Sequence, residues 1–287
     1  MIKELKANFY RILRSKSFIV ICILVFLGAV ISAVEIKMVA DDPGNWIEYV
    51  EEAMAGATES SETENHEYDE SSASVAIFST NLSSLGEIDN LTGVMRLTWS
   101  VDLICFLHCI FIALFISAEY KSHFHVNHYS LNAKPRMIVL IEWLSLMITV
   151  VLVEFVAYGI AFGLSALVCN SFDPSDIYMF AKYGTLMLGI MIVYASFAFM
   201  IAFIRRAAAL AIVLSSLFVF GVLDFIFGFA SVWISATQYF ALNNLFSTMA
   251  YGKFDSINYW LEVCIIIFYT AVFLGVSLIV ASTRDPY

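Results

Sequence analysis

Two acidic residues, Glu154 and Asp224, stand out because each lies well inside a long apolar run of this 287-residue chain. An ionised carboxylate at the centre of a bilayer costs on the order of 3 kcal/mol, so such a residue normally faces protein or water. One interpretation is that both line a translocation path for a polar or cationic cargo, or for protons. The other is that they are protonated or hydrogen-bonded within helix packing, with Tyr158 one turn from Glu154. The sequence leaves both open.

The cysteines and histidines do not form a recognisable metal or catalytic motif. Cys105 and Cys109 are four residues apart in an apolar run, where small apolar side chains filling a helix interface are a commoner explanation than a metal pair. His123, His125 and His128 have no cysteine or carboxylate nearby at a recognised ligand spacing. We therefore predict neither a metal site nor a bound cofactor, and no catalytic motif is recognisable. The phosphate-binding GxxxxGK[ST] loop is also missing, so the chain is not expected to hydrolyse ATP itself.

The elements that position these residues are predicted from composition and length. Hydrophobic residues make up 61% of the chain and charged residues 14%, against roughly 25% charged in soluble domains. A membrane span needs about 20 mostly apolar residues. Six runs qualify: Phe18–Val39, Trp99–Ala118, Met137–Val168, Ile177–Ile204, Ala207–Trp233 and Tyr259–Ala281. The predicted fold is therefore an all-α membrane protein with six transmembrane helices. Gly159 and Gly163 have the small-xxx-small spacing that predicts a close helix approach.

The charges predict an orientation. Lys and Arg mark the cytoplasmic side of membrane spans. In the six-span arrangement most cations fall on one side, and only Lys37, Arg96, Lys182 and Lys253 fall on the other. Both termini are thus expected in the cytoplasm of a multi-pass plasma-membrane protein. Residues 40–98 form an acidic extracellular loop, which accounts for the net charge of −10. No basic patch suggests nucleic-acid binding.

Three further segments have distinct patterns. Residues 1–17 predict an amphipathic helix in the cytoplasmic interface, with its cations towards anionic lipid head groups. Residues 117–136 form the substantial cytoplasmic loop. Residues 231–258 are too apolar for a water-exposed loop and too short to cross the membrane twice, so an extracellular re-entrant helical pair is predicted before the last span.

The order of these parts resembles the membrane subunit of ABC-2 type transporters over nearly the whole chain. A basic amphipathic helix (IKELKANFYRILRSK) enters the first span, and a large outer loop follows it. The second span ends in FISAEYKS, which is similar to the family's pattern of a small residue followed by Glu-Tyr-Lys/Arg. The sequence HFHVN then departs from the family's usual Gly-Thr-Ile/Leu-Lys run, and KPRM resembles the basic step that starts the third span.

The resemblance implies a permease subunit of an ABC exporter, in which two permease subunits pair with a separate ATPase that binds ATP. It implies that the N-terminal helix and the 117–136 loop rest on that ATPase. The residues implied in this coupling are Glu119, Tyr120, Lys121, Arg136, Arg11 and Arg14. Export of a peptide, an antibiotic or a lipid fits small members of the family. Two alternatives remain: a non-transporting membrane sensor or assembly partner, and an intramembrane enzyme.

Overall fold

The computed structural model describes residues 2–41, 102–122, 134–168, 174–231 and 257–283, together with positions 233, 240–242 and 245. Most of the predicted acidic loop, the three loop histidines and most of the predicted re-entrant segment 231–258 lie outside these residues. Every element bounded below is an α-helix, which confirms the all-α prediction. The helices are α1 Ile2–Arg14, α2 Lys16–Asp41, α3 Asp102–Lys121, α4 Pro135–Val168, α5 Pro174–Arg205, α6 Ala208–Val219, α7 Val222–Ser231 and α8 Tyr259–Thr283.

Four of these helices, α3, α4, α5 and α8, are long and apolar enough to cross a membrane, and α1 with α2 passes the same test as a bent pair. Only 22% of the apolar stretch of α8 is buried within the chain. A soluble protein rarely leaves so large an apolar surface in water. The exposed side chains of α8, among them Ile267, Phe268 and Ile279, are suited to contact with lipid, and the chain is a multi-pass membrane protein.

The helices α1 and α2 meet at a bend of 67°. Ser15 causes the break: its hydroxyl accepts a hydrogen bond from the Phe18 N–H at 3.2 Å and donates one to the Ile12 carbonyl at 2.9 Å. A serine in that position caps the N-terminus of the following helix. In α1, Ile12 is fully buried, whereas Lys6 and Arg14 are exposed. The predicted amphipathic helix is therefore a separate element, held at a steep angle to the span that follows.

Helix α5 is at the centre of the bundle. It packs extensively against α3, α4, α6 and α8. Its buried side chains point in all directions around the axis, from Leu186 and Ile190 to Phe199 and Phe203. Helix α2 also packs against both α3 and α4. Helices α3 and α4 thus share α2 and α5 as packing neighbours.

Contacts at the two ends of the bundle give the direction of each helix. At one end, which we call the Arg11 end, Arg11 of α1 pairs with Glu119 in the last turn of α3, and Arg206 after α5 covers the Tyr120 ring. At the opposite end, the Thr185 and Tyr259 hydroxyls lie 3.0 Å apart. Helices α5 and α8 therefore start at the same end and run parallel, and α3 also finishes at the Arg11 end.

The prediction of one continuous helix over Ala207–Trp233 is wrong. The chain breaks between α6 and α7, where Gly221 has φ 80°, a left-handed conformation that glycine adopts without steric cost. The Gly221 N–H donates to the Phe218 carbonyl at 3.2 Å, which closes the end of α6. With twelve residues, α6 is about 18 Å long, well short of the ~30 Å hydrocarbon core.

The close helix approach predicted at Gly159 and Gly163 is not formed with any described residue. A Cβ atom added at either glycine would meet no atom of the described part of the chain within 4 Å. The close approach is instead at Gly189 of α5, where an added Cβ would lie 3.0 Å from two side-chain carbons of Ile266 in α8. Helices α5 and α8 can therefore pack this closely because Gly189 has no side chain.

We expect Gly189→Leu to destabilise the bundle by about 1–3 kcal/mol, because overpacking forces shifts in a filled interface. Gly159→Leu is the matched control, since it makes the same change in helix propensity at an open position. Thermal denaturation of the detergent-solubilised protein measures the difference. Equal midpoints for the two variants would show that Ile266 can move aside without cost.

Candidate functional site

Two polar clusters lie among the otherwise apolar helices. The first, which we call the interfacial cluster, consists of Asn8, Arg11, Glu119 and Glu142 at the Arg11 end. Arg11 Nη1 donates to Asn8 Oδ1 at 3.1 Å, and Arg11 Nη2 donates to Glu119 Oε1 in a close ion pair. Glu119 and Glu142 are buried, with relative exposures of 4% and 3%. One guanidinium thus joins α1 to α3 and lies in the electrostatic range of α4.

The electrostatics of Arg11 show how enclosed this cluster is. Burial lowers the pKa of the Arg11 guanidinium, and the nearby Glu142 carboxylate acts in the opposite direction. The guanidinium also lies 5.9 Å from the centre of the Phe115 ring. Because arginine keeps its proton under any physiological condition, Arg11 is a permanent positive charge placed between buried carboxyl groups.

Three consecutive residues at the end of α3 point in three directions, since successive side chains of a helix are 100° apart. Glu119 faces Arg11 of α1. Tyr120 faces the α5–α6 turn: its ring is 6.0 Å from the Phe203 ring, and the Arg206 guanidinium covers it at 4.9 Å. Lys121 is exposed. The Glu-Tyr-Lys sequence therefore connects α3 to two neighbouring elements and leaves its cation outside.

The structure brings together only some of the six residues predicted to couple to an ATPase. Arg11 and Glu119 form one contact, and Tyr120 belongs to a second one nearby. Arg14 is exposed instead; its Nη1 donates to the Tyr10 hydroxyl at 2.6 Å. Arg136, at the start of α4, is exposed as well. Arg14, Lys121 and Arg136 are thus exposed cations on α1, α3 and α4, the three helices that contribute to the interfacial cluster.

The second cluster, which we call the core pair, consists of His108 of α3 and Glu154 of α4. His108 Nδ1 lies 3.3 Å from Glu154 Oε1 and 2.9 Å from the Ile104 carbonyl oxygen. Both side chains are enclosed, with exposures of 3% and 0%. The Tyr158 hydroxyl, one turn from Glu154, donates to the Met191 sulfur of α5 at 3.9 Å. The pair lies deep in the bundle and connects two helices that share α2 and α5 as neighbours.

Glu154 was predicted either to line a translocation path or to be packed among helices, and here its carboxyl group is enclosed against His108. Asp224 belongs to α7, just beyond the Gly221 break; its side chain lies outside the described residues.

His108 was not among the functional residues predicted from the sequence. A signal was present, because a histidine inside an apolar run is an ionisable group at membrane depth, which by default is a functional candidate. What the sequence could not supply is its partner, since Glu154 is 46 positions further along the chain (154 − 108).

Within the described ranges, no group of three or more His, Cys, Asp or Glu residues is arranged to hold a metal ion. Cys105 and Cys109 are buried in the core. Comparisons with protein-family models, with curated proteins and with solved structures give no match to this chain. The candidate sites are therefore defined by their own geometry.

We expect Arg11→Met to destabilise the protein by on the order of 3 kcal/mol, because it removes one partner of a largely buried ion pair. Arg14→Met is the matched control: the same change, one turn later in α1, at an exposed position. Arg11→Lys should restore only part of the loss, since an ammonium group lacks the planar fork that reaches Asn8 and Glu119 together. Thermal denaturation in detergent or in lipid nanodiscs would measure the three variants. A smaller effect for Arg11→Met than for Arg14→Met would contradict the assignment.

Proposed function

We propose that the chain is the membrane-spanning permease subunit of an ABC exporter of the ABC-2 type, coupled to a separate ATPase subunit that binds ATP. The observation that carries this proposal is the Arg11–Glu119 pair, which fastens the interfacial helix α1 to the end of the transmembrane helix α3. A short helix at the membrane surface, rigidly joined to a span, can act as a lever for a partner that moves it.

The exposed cations around that pair support the same proposal. Arg14 is three residues after Arg11, Lys121 is two residues after Glu119, and Arg136 is in the first turn of α4, the helix that carries Glu142; all three are exposed. A partner that engages them would push directly on α1, α3 and α4. The 117–136 loop, which the proposal places against the ATPase, begins in the last turns of α3 and ends as α4 begins.

The directions of the helices support six spans. Helices α2 and α4 start at the Arg11 end, whereas α3 and α5 finish there. Helix α5 ends where α6 begins, and α8 starts again at the far end, so the chain between them has to cross once. The broken pair α6–α7 is the element available for that crossing. Residues 231–258 would then return to the far surface as the re-entrant pair.

In this proposal the Arg11 end is cytoplasmic, which places both termini in the cytoplasm and the acidic loop 40–98 outside the plasma membrane. Two permease subunits, identical or different, form the translocation path, to which Glu154 and Asp224 belong. The cargo is a peptide, an antibiotic or a lipid. ATP hydrolysis takes place in the partner, so the chain itself is not an enzyme.

Affinity purification of the full chain in mild detergent tests the proposal. We expect an ATPase with a phosphate-binding GxxxxGK[ST] loop to purify with the chain in stoichiometric amount. The double variant Lys121→Ala and Arg136→Ala should reduce the recovered ATPase at least severalfold while the permease still folds, because a charged docking surface is lost. The matched control is Lys182→Ala, a cation at the opposite end of the bundle. Recovery of the chain with no ATPase would favour the sensor or assembly-partner alternative and would reject the exporter.

A further inference from the structure

The core pair has an unusual environment for two ionisable side chains. His108 and Glu154 are held between α2 and α5, and the side chains that α2 contributes to the buried core are apolar: Ile21, Val25 and Ala29. The titratable groups nearest to the pair are Tyr158, which interacts electrostatically with Glu154, and Cys105, which interacts with Tyr158. The same buried core contains Cys109 of α3 and Tyr183 and Tyr194 of α5, and Cys22 of α2 packs against it. Within the described ranges, no lysine or arginine is fully buried; the Arg11 side chain is about 25% exposed and pairs with Glu119 at the Arg11 end.

The hydrogen bond to the backbone assigns the proton of the imidazole. The Ile104 carbonyl oxygen can only accept, so His108 Nδ1 carries a hydrogen and donates it. His108 Nε2 is buried and has no hydrogen-bond partner among the described residues. An additional proton on Nε2 would place a cationic N–H there without an acceptor, which is costly in a low-dielectric interior. The geometry therefore favours a neutral imidazole.

The carboxyl group of Glu154 then decides the charge of the pair. Its two oxygens have no hydrogen-bond partner within the described part of the chain, and Oε1 has only the 3.3 Å contact with an N–H already directed at a carbonyl. A buried carboxylate needs several donors or a cation beside it. With neither present, the carboxyl group is neutral, and the pair holds one proton more than a neutral imidazole and a carboxylate would.

We propose that the core pair is a proton-binding site: the Glu154 carboxyl group holds one proton while the bundle is closed, and releases it to water when α3 and α4 separate. In the release step the O–H bond of the carboxyl group breaks, its electron pair stays on the carboxylate oxygen, and water takes the proton. The reverse step reloads the site before the helices close. This proposal does not depend on the exporter assignment, since it concerns only the opening of the contact.

Infrared spectroscopy of the full chain in lipid tests the proposal at about pH 8, where a carboxyl group with an ordinary pKa of about 4 is ionised. We expect a carboxylic-acid C=O band that shifts in D₂O. It should disappear in Glu154→Gln and persist in the control Glu4→Gln, which removes a carboxyl group from α1. Absence of the band from the unaltered protein, or its survival in Glu154→Gln, would overturn the proposal.

Two further variants keep the test decisive if Glu154→Gln does not fold. Glu154→Asp retains an acid in a displaced position, so the band should shift in frequency; an unchanged band would assign it to another carboxyl group and reject the site. In His108→Phe the band should also shift, because the acid loses its contact with Nδ1–H. An unaltered band in both variants would show that the core pair does not hold the proton.

A thermodynamic measurement gives an independent result. Above about pH 5 the unfolded chain has ionised Glu154, because an exposed glutamate has a pKa of about 4.3, whereas the folded chain keeps the proton until the site releases it. Over that range the folded state binds one more proton. Stability then falls as pH rises, and the unfolding equilibrium constant gains a factor of about ten per pH unit from this group. We expect the dependence to be less steep by that factor in Glu154→Asn and Glu154→Gln. Parallel pH profiles for the unaltered protein and either variant would refute the proposal.

Discussion

The absence of water from the bilayer interior is the constraint on which the whole structure depends. Backbone groups in that region must satisfy their hydrogen bonds internally, so helices are the structural solution. The same constraint acts on side chains: a polar group that reaches the core can bond only to what the protein places beside it. Several buried hydroxyls turn back to their own helix, as Thr149 does in donating to the Ser145 carbonyl at 2.7 Å. An ionised carboxylate cannot do so, because it only accepts, so a buried carboxylate such as Glu119 needs a donor from another helix.

The interfacial cluster and the core pair differ in how deeply they lie in the bundle. At the Arg11 end, water and head groups are close enough to solvate exposed cations, and Glu119 is stabilised by a full ionic partner on another helix. In the core pair the partner of Glu154 is an imidazole whose only assigned proton is already used by the backbone. The Arg11–Glu119 contact is therefore stabilised by opposite charges, whereas burial of Glu154 beside His108 requires a proton on the carboxyl group.

The sequence predicted much of the architecture because apolar length and the positions of cations are direct consequences of the membrane. The separate helix α1, the long helices and the cations grouped around Arg11 and Arg206 all follow from these two signals. The break at Gly221 was missed because a single glycine in an apolar run is compatible with a continuous helix, and only its φ of 80° reveals the interruption. The prediction of a close helix approach at Gly159 and Gly163 failed for a different reason. Their spacing allows a close approach, but tertiary packing decides whether a neighbouring helix is present. The pairing of His108 with Glu154 was likewise unpredictable, because no local pattern connects residues so far apart in sequence.

Helix α3 links the two clusters physically. Glu119 follows His108 by eleven residues, which is close to three complete turns, so both side chains project from nearly the same face about 16 Å apart. A rigid helix of this length transmits a tilt or rotation at one end to the other, because its backbone hydrogen bonds resist bending. Movement of α1 that pulls on Arg11 would thus change the separation of His108 and Glu154, unless the Arg11–Glu119 pair breaks first. Which contact yields depends on their relative strength, and the charge-assisted hydrogen bond of the Arg11–Glu119 pair favours transmission of the movement to the core pair.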